Sequence, residues 1–242
     1  MTTNEQKPTD PQLISYITLR KAVGVLGVAF PIVLIVGSVV CCGCNETQSS
    51  ISAYYHTGMR NLFVGLLCAI ALFLFTYTGY DSTDATAGNI GCIFALGVAF
   101  FPTSYSGPIN SCITVITENG IISTIHFTSA AGLFFTLAYL SICRFTKTRK
   151  EPENCWKRIS FKKRDQGPTG RKLKRNRIYI TCGLIMIGCI ILIAVYKALG
   201  TSSLGQSISR LKPIFWLETL ALWAFGVSWL TKGRTIYADL EK

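Results

Sequence analysis

Charged residues are scarce in this sequence, and acidic residues are the scarcer kind. Only 15% of the 242 residues are charged, with 12 acidic and 24 basic side chains, whereas 50% are apolar. A soluble domain of this length needs more polar surface than this composition supplies. The composition therefore argues against an ordinary soluble protein and predicts a single polytopic membrane domain.

Histidine is also rare, and the common catalytic and nucleotide-binding motifs are missing. His56 and His126 are the only two histidines. No segment matches a Ser-His-Asp hydrolase elbow, a P-loop or a dinucleotide-binding fingerprint. The cysteines show no metal-binding pattern, because the cluster of Cys41, Cys42 and Cys44 has no second pair at zinc-site spacing. These absences argue against the most recognisable classes of soluble enzyme and zinc domain.

The positive charge is concentrated in one segment, residues 144–177. This segment carries fourteen Lys or Arg and three acidic residues, so it accounts for nearly all of the net charge of +12. Loops rich in Lys and Arg stay on the cytoplasmic side of a membrane. The segment therefore predicts a basic cytoplasmic loop. Nucleic acid is not an expected partner, because no recognition module accompanies the charge and an anionic leaflet lies closer.

Long apolar runs on both sides of this segment predict the architecture. A membrane core of about 30 Å needs about 20 apolar residues per helix. We therefore expect an all-α integral membrane protein, a six-transmembrane-helix bundle with the basic cytoplasmic loop between helices 4 and 5. The predicted spans are residues 22–42, 61–80, 85–101, 121–143, 178–199 and 214–230, within a domain of residues 16–232. Residues 1–15 are expected to form a disordered tail, and residues 233–242 a short C-terminal tail.

The remaining basic residues orient this bundle. With the loop of residues 144–177 inside, four flanking basic residues also fall inside: Arg20, Lys21, Lys232 and Arg234. Arg210 and Lys212 are the exception, since they fall in the last outer loop. The stronger bias predicts that both termini are cytoplasmic.

Ionisable side chains gather at the outer end of the predicted bundle. His126 and Glu218 lie at similar depth inside their spans, with His56 and Arg60 at the rim and Ser52 and Tyr55 close by. Ionisable groups inside a membrane are costly and usually face a partner or a cavity. These six residues are therefore the candidate outer site.

Three interpretations of the outer site stay open. Glu218 pairs with Arg60, Lys197 or His126 and fixes helix packing, or the cluster binds a ligand or lipid headgroup. In the third, His56, His126 and Glu218 hold zinc or iron and activate water. No other cofactor is expected.

The inner end carries a second candidate site, for anionic headgroups. Arg175 and Asn176 open the fifth span there, and Asp81 and Asp84 face the basic loop. A contact between Asp81 and Arg175 would pin the loop to the bundle. The alternative is an ordinary solvated loop that is retained by its charge alone.

Cys112 is the one distant cysteine predicted on the same side of the membrane as Cys44. A disulfide between them is possible where that side is oxidising. The sequence leaves this pairing open.

Short landmarks in three spans are similar to a known group of membrane proteins. These are Ser50-Ile51-Ser52 with Tyr54-Tyr55, Ala95-Leu96-Gly97 to Phe101-Pro102, and Ile125-His126. Together they resemble the DRAM-like six-span membrane proteins and a related bacterial family of unknown function. The resemblance implies a six-helix bundle that handles or senses lipid. It brings no established catalytic residues, and the basic loop is not part of the pattern.

Two functional hypotheses follow. The first is a non-enzymatic protein that interacts with membrane lipids, with anionic headgroups at the basic loop, or that organises the membrane. The second is a lipid-modifying membrane enzyme, metal-dependent if His56, His126 and Glu218 hold an ion. The substrate, the oligomeric state and the cellular membrane stay open.

Overall fold

The computed structural model describes residues 11–79, 81–105, 111–116, 119–147, 170–200 and 203–233. Within these ranges the regular structure is helical, and β-structure is limited to one isolated bridge between Thr57 and Ile113. The α-helices are α1 (Pro11–Cys42), α2 (Arg60–Phe75), α3 (Ser82–Phe100), α4 (Gly120–Tyr139), α5 (Gly170–Leu199), α6 (Ser203–Ser209) and α7 (Pro213–Lys232). A 3₁₀ turn occupies Ser52–His56, and a π turn, Leu140–Arg144, continues α4.

Five of these helices are long and apolar enough to cross a membrane. They are Tyr16–Cys42, Ser82–Phe100, Gly120–Arg144, Lys172–Leu199 and Pro213–Lys232. The helical prediction is confirmed for these five spans. The second predicted span forms α2, which is apolar but has only 16 residues, or about 24 Å of helix.

The end of α2 at Phe75 differs from the predicted end at residue 80. Gly79 follows with a φ of +45°, a left-handed conformation that glycine adopts without steric cost. Tyr77 is 2% exposed and packs its ring 5.3 Å from the ring of Trp229. α2 thus ends before Tyr77, whose ring is buried against Trp229. Hydropathy alone does not predict where this helix ends.

Six helices form a closed ring. In ring order they are α1, α2, α3, α4, α5 and α7, and α7 packs back against α1. Large apolar side chains on the outer faces are strongly exposed, as at Val40, Ile93 and Ile121. Such faces are suited to hydrocarbon, since lipid tails are as apolar as the side chains themselves.

The first and last helices touch through glycine. A Cβ atom on Gly24 would lie 2.9 Å from the carbonyl oxygen of Gly226, and one on Gly226 would lie 2.7 Å from the carbonyl oxygen of Gly24. Any larger residue would push the two backbones apart. Close glycine crossings of this type are common where membrane helices pack.

Several predicted boundaries are wrong. Residues 11–15, expected in the disordered tail, belong to α1, whereas residues 1–10 lie outside the described ranges. Residues 170–177, expected in the basic loop, belong to α5, because Lys and Arg are good helix formers. Residues 148–169 of that loop and 234–242 of the C-terminal tail are not among the described residues.

Candidate functional sites at the two ends of the bundle

A disulfide stabilises the loops at one end of the ring, which we call the disulfide end. Cys44 after α1 is bonded to Cys112 between α3 and α4, with 5.2 Å between the Cα atoms. The backbone of Thr114 also donates a hydrogen bond to the carbonyl oxygen of His56 at 2.8 Å. The pairing that the sequence left open is thus formed. Cys143, near the other end, is also disulfide-bonded, so disulfides alone do not orient the bundle.

His56 ties two backbone segments together. Its Nε2 lies 2.8 Å from the carbonyl oxygen of Thr103, and its Nδ1 lies 3.0 Å from that of Val115. The side chain is fully buried, so its expected place at the rim of the site is wrong. Burial lowers the pKa of His56, whereas the two carbonyl contacts act in the opposite direction. Both ring nitrogens face the backbone, which indicates a structural role.

His126 is bonded differently, to a side-chain hydroxyl. Its Nε2 lies 2.8 Å from Oγ of Ser52, and its Nδ1 lies 2.7 Å from the carbonyl oxygen of Phe101. His126 is 1% exposed and Ser52 is 8% exposed. The ring therefore links α4, the end of α3 and the 3₁₀ turn that precedes α2.

Glu218 holds the same 3₁₀ turn from the opposite side. Its Oε2 accepts a hydrogen bond from the backbone N–H of Ile51 at 2.6 Å, and the N–H of Ser52 also bonds to this carboxylate. The expected side-chain partners are therefore replaced by backbone donors, and Lys197 contributes only through its charge. The Lys197 ammonium lies 3.3 Å from the ring centroid of Phe127.

Arg60 and Tyr55 pair with each other at this end. The Arg60 Nη2 donates to the Tyr55 hydroxyl at 2.8 Å, and the guanidinium lies 4.6 Å from the Tyr55 ring centroid. Ser52, Tyr55 and His56 thus lie on one turn. His126 and Glu218 contact the start of this turn, and Arg60 contacts Tyr55.

One open interpretation was that His56, His126 and Glu218 hold a metal ion. Among the described residues there is no group of three or more His, Cys, Asp or Glu side chains that could hold an ion. Each ring nitrogen of His56 and His126 faces a protein oxygen atom. A metal ion would have to displace these hydrogen bonds.

The opposite end, which we call the basic end, contains a buried ion-pair network. Arg144 bonds to both Asp81 and Asp84, and Nζ of Lys147 lies 2.6 Å from Oδ2 of Asp81. Lys147 and Arg144 hold the pKa of Asp81 well below its usual range. The predicted Asp81 contact with Arg175 is wrong, because the π turn carries Arg144 into the bundle interior.

Further cations gather around this network. Lys232, at the end of α7, faces the like charges of Arg20, Arg175 and Lys172 and the opposite charge of Asp84. The four cations come from three helices of the ring, α1, α5 and α7, and Asp84 lies in the first turn of α3. Asn176, the other predicted headgroup contact, is half-buried next to Arg175 on α5.

Arg20 is the most informative member of this group. Its guanidinium lies 4.0 Å from the ring centroid of Tyr16 and 5.7 Å from that of Tyr77. Its Nε is buried and has no hydrogen-bond partner in the described part of the chain. The aromatic rings hold the guanidinium plane in place, while one of its donors stays unsatisfied.

Sequence reasoning identified members of both sites but not their arrangement. Ser52 and His126 were both candidates, yet no spacing rule connects residues 74 positions apart. Arg20 and Lys232 were recognised only as topology signals. Their placement at adjacent helix ends depends on the ring, which the hydropathy pattern does not specify.

Known proteins give no further guidance on either site. Comparisons of the chain with protein-family models, with curated proteins and with solved structures gave no match. The geometry of the two ends of the bundle is therefore the basis for a functional proposal.

Proposed function

We propose that this chain is a multi-pass membrane protein that binds anionic phospholipids at its basic end. The observation that carries the proposal is Arg20, whose buried Nε has no hydrogen-bond partner within the described residues. Its charge acts on Lys232, as do the like charges of Lys172 and Arg175. A lipid phosphate supplies acceptor oxygens for the Arg20 donor and a negative charge beside these basic side chains.

The energetics favour a phosphate over a weaker anion. A guanidinium presents donors in a planar fork that matches phosphate geometry, and Tyr16 already orients that plane. Each basic residue near an anionic leaflet contributes about 1 kcal/mol of attraction. Asp81 and Asp84 pair with Arg144 and Lys147 in the adjoining network, and Asp84 also attracts Lys232.

The proposal includes an orientation with the basic end and both termini in the cytoplasm. The fourteen basic residues of segment 144–177, with Arg20 and Lys232, support it through the positive-inside rule. Lys212, an exception in the predicted outer loop, has local partners. Its Nζ lies 2.6 Å from the carbonyl oxygen of Thr47 and 3.1 Å from a carboxylate oxygen of Glu46. The resemblance to DRAM-like proteins, which implies lipid handling, points in the same direction.

Thermal unfolding of detergent-purified full-length protein tests the proposal. We expect phosphatidylglycerol to raise the unfolding temperature and phosphatidylcholine at equal concentration to leave it unchanged. A ligand that binds only the folded state at 100 times its Kd stabilises by about 2.7 kcal/mol. Arg20→Gln is expected to lose most of this shift. The matched control is Arg210→Gln, which removes one exposed cation at the disulfide end and should keep it.

Two results would contradict the proposal. One is an equal response to both lipids, and the other is a full phosphatidylglycerol shift in Arg20→Gln. Soluble glycerol phosphate serves as a further arm. A shift with glycerol phosphate equal to that with the lipid would assign the site to a free phosphate compound instead of a membrane lipid.

A further inference from the structure

We propose that Ser52 and His126 form a nucleophile and base pair that accepts the acyl group of a lipid ester. This site lies at the disulfide end and is independent of the phospholipid site at the basic end. Phospholipid binding at the basic end and acyl transfer at the disulfide end can therefore be tested, and refuted, independently. From the sequence, His126 was a candidate for packing, for headgroup binding or for metal-dependent catalysis, and its pairing with Ser52 was not predicted.

The hydrogen bonds around His126 determine which nitrogen carries the proton. The carbonyl oxygen of Phe101 only accepts, so the Nδ1 that lies 2.7 Å from it must donate. In the neutral ring, Nε2 is then the acceptor, and the Ser52 hydroxyl at 2.8 Å donates to it. A serine nucleophile that donates to a histidine whose other nitrogen is held by a third group is the arrangement of general-base activation.

The comparison with His56 shows that this arrangement is not a consequence of burial alone. Both ring nitrogens of His56 face backbone carbonyl oxygens, so His56 has no hydroxyl to activate. Both histidines are buried at the same end of one bundle, yet only His126 contacts a nucleophilic side chain.

Ser52 is held on a supported turn, as a nucleophile requires. Glu218 bonds to the backbone N–H groups of Ile51 and Ser52, which fixes the start of the 3₁₀ turn. Glu218 is thus a positioning residue. The disulfide between Cys44 and Cys112 limits movement of the loops on either side.

The depth of the pair indicates the substrate class. His126 lies one and a half turns into α4, about 9 Å along the helix from Gly120. The ester groups of membrane lipids lie in the interfacial region between headgroups and hydrocarbon, which this depth matches. Neighbouring side chains of α4 and α7 are exposed on the lipid-facing surface, as at Ile125, Phe127 and Trp216. The surface next to the pair is therefore apolar, as contact with lipid chains requires.

The pair is largely shielded from bulk solvent, since His126 is 1% exposed. Ser52 keeps only 8% of its surface exposed, so bulk water has little access to compete with an acyl acceptor.

The proposed reaction is acyl transfer from a lipid ester to Ser52. Nε2 of His126 takes the hydroxyl proton as Oγ of Ser52 attacks the ester carbonyl carbon. The tetrahedral oxyanion then collapses, the ester C–O bond breaks, and the alcohol leaves with the proton from His126. Acyl-Ser52 remains, and an acceptor alcohol takes the acyl group by the reverse sequence.

Covalent labelling of purified full-length protein with a fluorophosphonate probe tests the pair. We expect one adduct, located on Ser52 by peptide mass spectrometry, and no adduct in Ser52→Ala. His126→Ala and His126→Gln should slow labelling at least about 100-fold, since a general base contributes 10²–10⁴-fold. The matched control is Ser50→Ala, because Ser50 lies on the same loop and its Oγ accepts a hydrogen bond from the backbone N–H of Ala53, with no histidine contact among the described residues. Labelling of Ser50→Ala should equal that of the wild type.

The wild-type protein alone can overturn the proposal. Absence of a Ser52 adduct after prolonged exposure in detergent would do so, whatever the folding of the variants. An adduct that forms equally fast in a folded His126→Gln variant would also overturn it, since Ser52 would then react without its base. A labelled Ser52 combined with no lipid response at the basic end would leave this inference standing and the phospholipid proposal refuted.

Discussion

The guanidinium of Arg144 is bonded to the carboxylate of Asp84, joining the π turn after α4 to the first turn of α3. The two side chains are 4% and 1% exposed. Charges this deeply buried persist only when they are paired, because an isolated charge loses its hydration without compensation.

We expect Arg144→Met to destabilise the protein by about 3–5 kcal/mol, since Asp84 would then be buried without this partner. Denaturant unfolding in detergent micelles measures the change. Combining Asp84→Leu with Arg144→Met should recover part of the lost stability, because it removes the buried carboxylate that Arg144 had contacted. Lys147→Met is the control, with an expected effect of about 0–1 kcal/mol, since its partner Asp81 is 31% exposed. Equal losses in Arg144→Met and Lys147→Met would contradict this account.

The same network predicts how stability depends on pH. Lys147 and Arg144 lower the pKa of Asp81 relative to the unfolded chain, so the folded state binds fewer protons. This contribution is fully present above the ordinary carboxyl pKa of about 4 and is lost as the pH falls further. Unfolding measured between about pH 6 and pH 2 should show that loss, and Asp81→Asn should flatten it. An unchanged acid slope in Asp81→Asn would count against the assignment.

The disulfide at the other end should stabilise through the length of chain that it closes. Cys44 and Cys112 are 68 residues apart, and a loop of that length corresponds to about 4 kcal/mol. Cys112→Ser, Cys44→Ser and the double variant should all lose the same amount, since each breaks one bond. Cys41→Ser, at an exposed free cysteine, should leave the unfolding midpoint unchanged. Additive losses in the double variant would show that the cysteines act separately.

The glycine crossing of α1 and α7 should tolerate no side chain. Gly24→Ala and Gly226→Ala place a Cβ less than 3 Å from backbone atoms of the facing helix, and we expect each to cost about 1–3 kcal/mol. Gly188→Ala is the matched control, because a Cβ there meets nothing within 4 Å. Its effect should be neutral or stabilising by about 0.5–1 kcal/mol, as alanine favours helix. A stable Gly226→Ala variant would refute the crossing.

Glu218 should act through its acceptor oxygen and not through its charge. Glu218→Ala leaves the N–H groups of Ile51 and Ser52 without their acceptor, at a cost of about 1–3 kcal/mol. Glu218→Gln keeps one acceptor oxygen and should retain most of the stability. Thermal unfolding of both variants distinguishes the acceptor role from the charge role. Equal losses of stability in Glu218→Ala and Glu218→Gln would assign the effect to charge.

Hydropathy predicted the helices well where the apolar run is continuous. Three of the five spanning helices, α3, α4 and α7, lie within three residues of their predicted bounds, whereas the spans in α1 and α5 begin six residues earlier, at Tyr16 and Lys172. A long apolar segment in a membrane has few alternatives to a helix. The end of α2 was mispredicted because the burial of Tyr77 is a tertiary effect. Arg144 was predicted to be the first residue of the basic loop. No pattern in the neighbouring sequence predicts the π turn that buries it.

The sequence predicted which residues belong to the candidate sites but did not predict which atoms they contact. The cost of an ionisable group in a membrane identified His126 and Glu218 as residues that must have partners. It could not identify the partners, because these are a serine and two backbone N–H groups that lie far away in sequence. The unsatisfied Nε of Arg20 likewise depends on three-dimensional surroundings that composition does not contain.

The closed ring has a consequence for biosynthesis. α1 leaves the ribosome before α7, yet its glycine contact is with α7. About two hundred residues separate the two contact points, so at 5–20 residues per second α1 waits roughly 10–40 s for its neighbour. During that interval its exposed glycine face must be shielded by lipid or by the insertion machinery, and a chain truncated before α7 would leave the ring open.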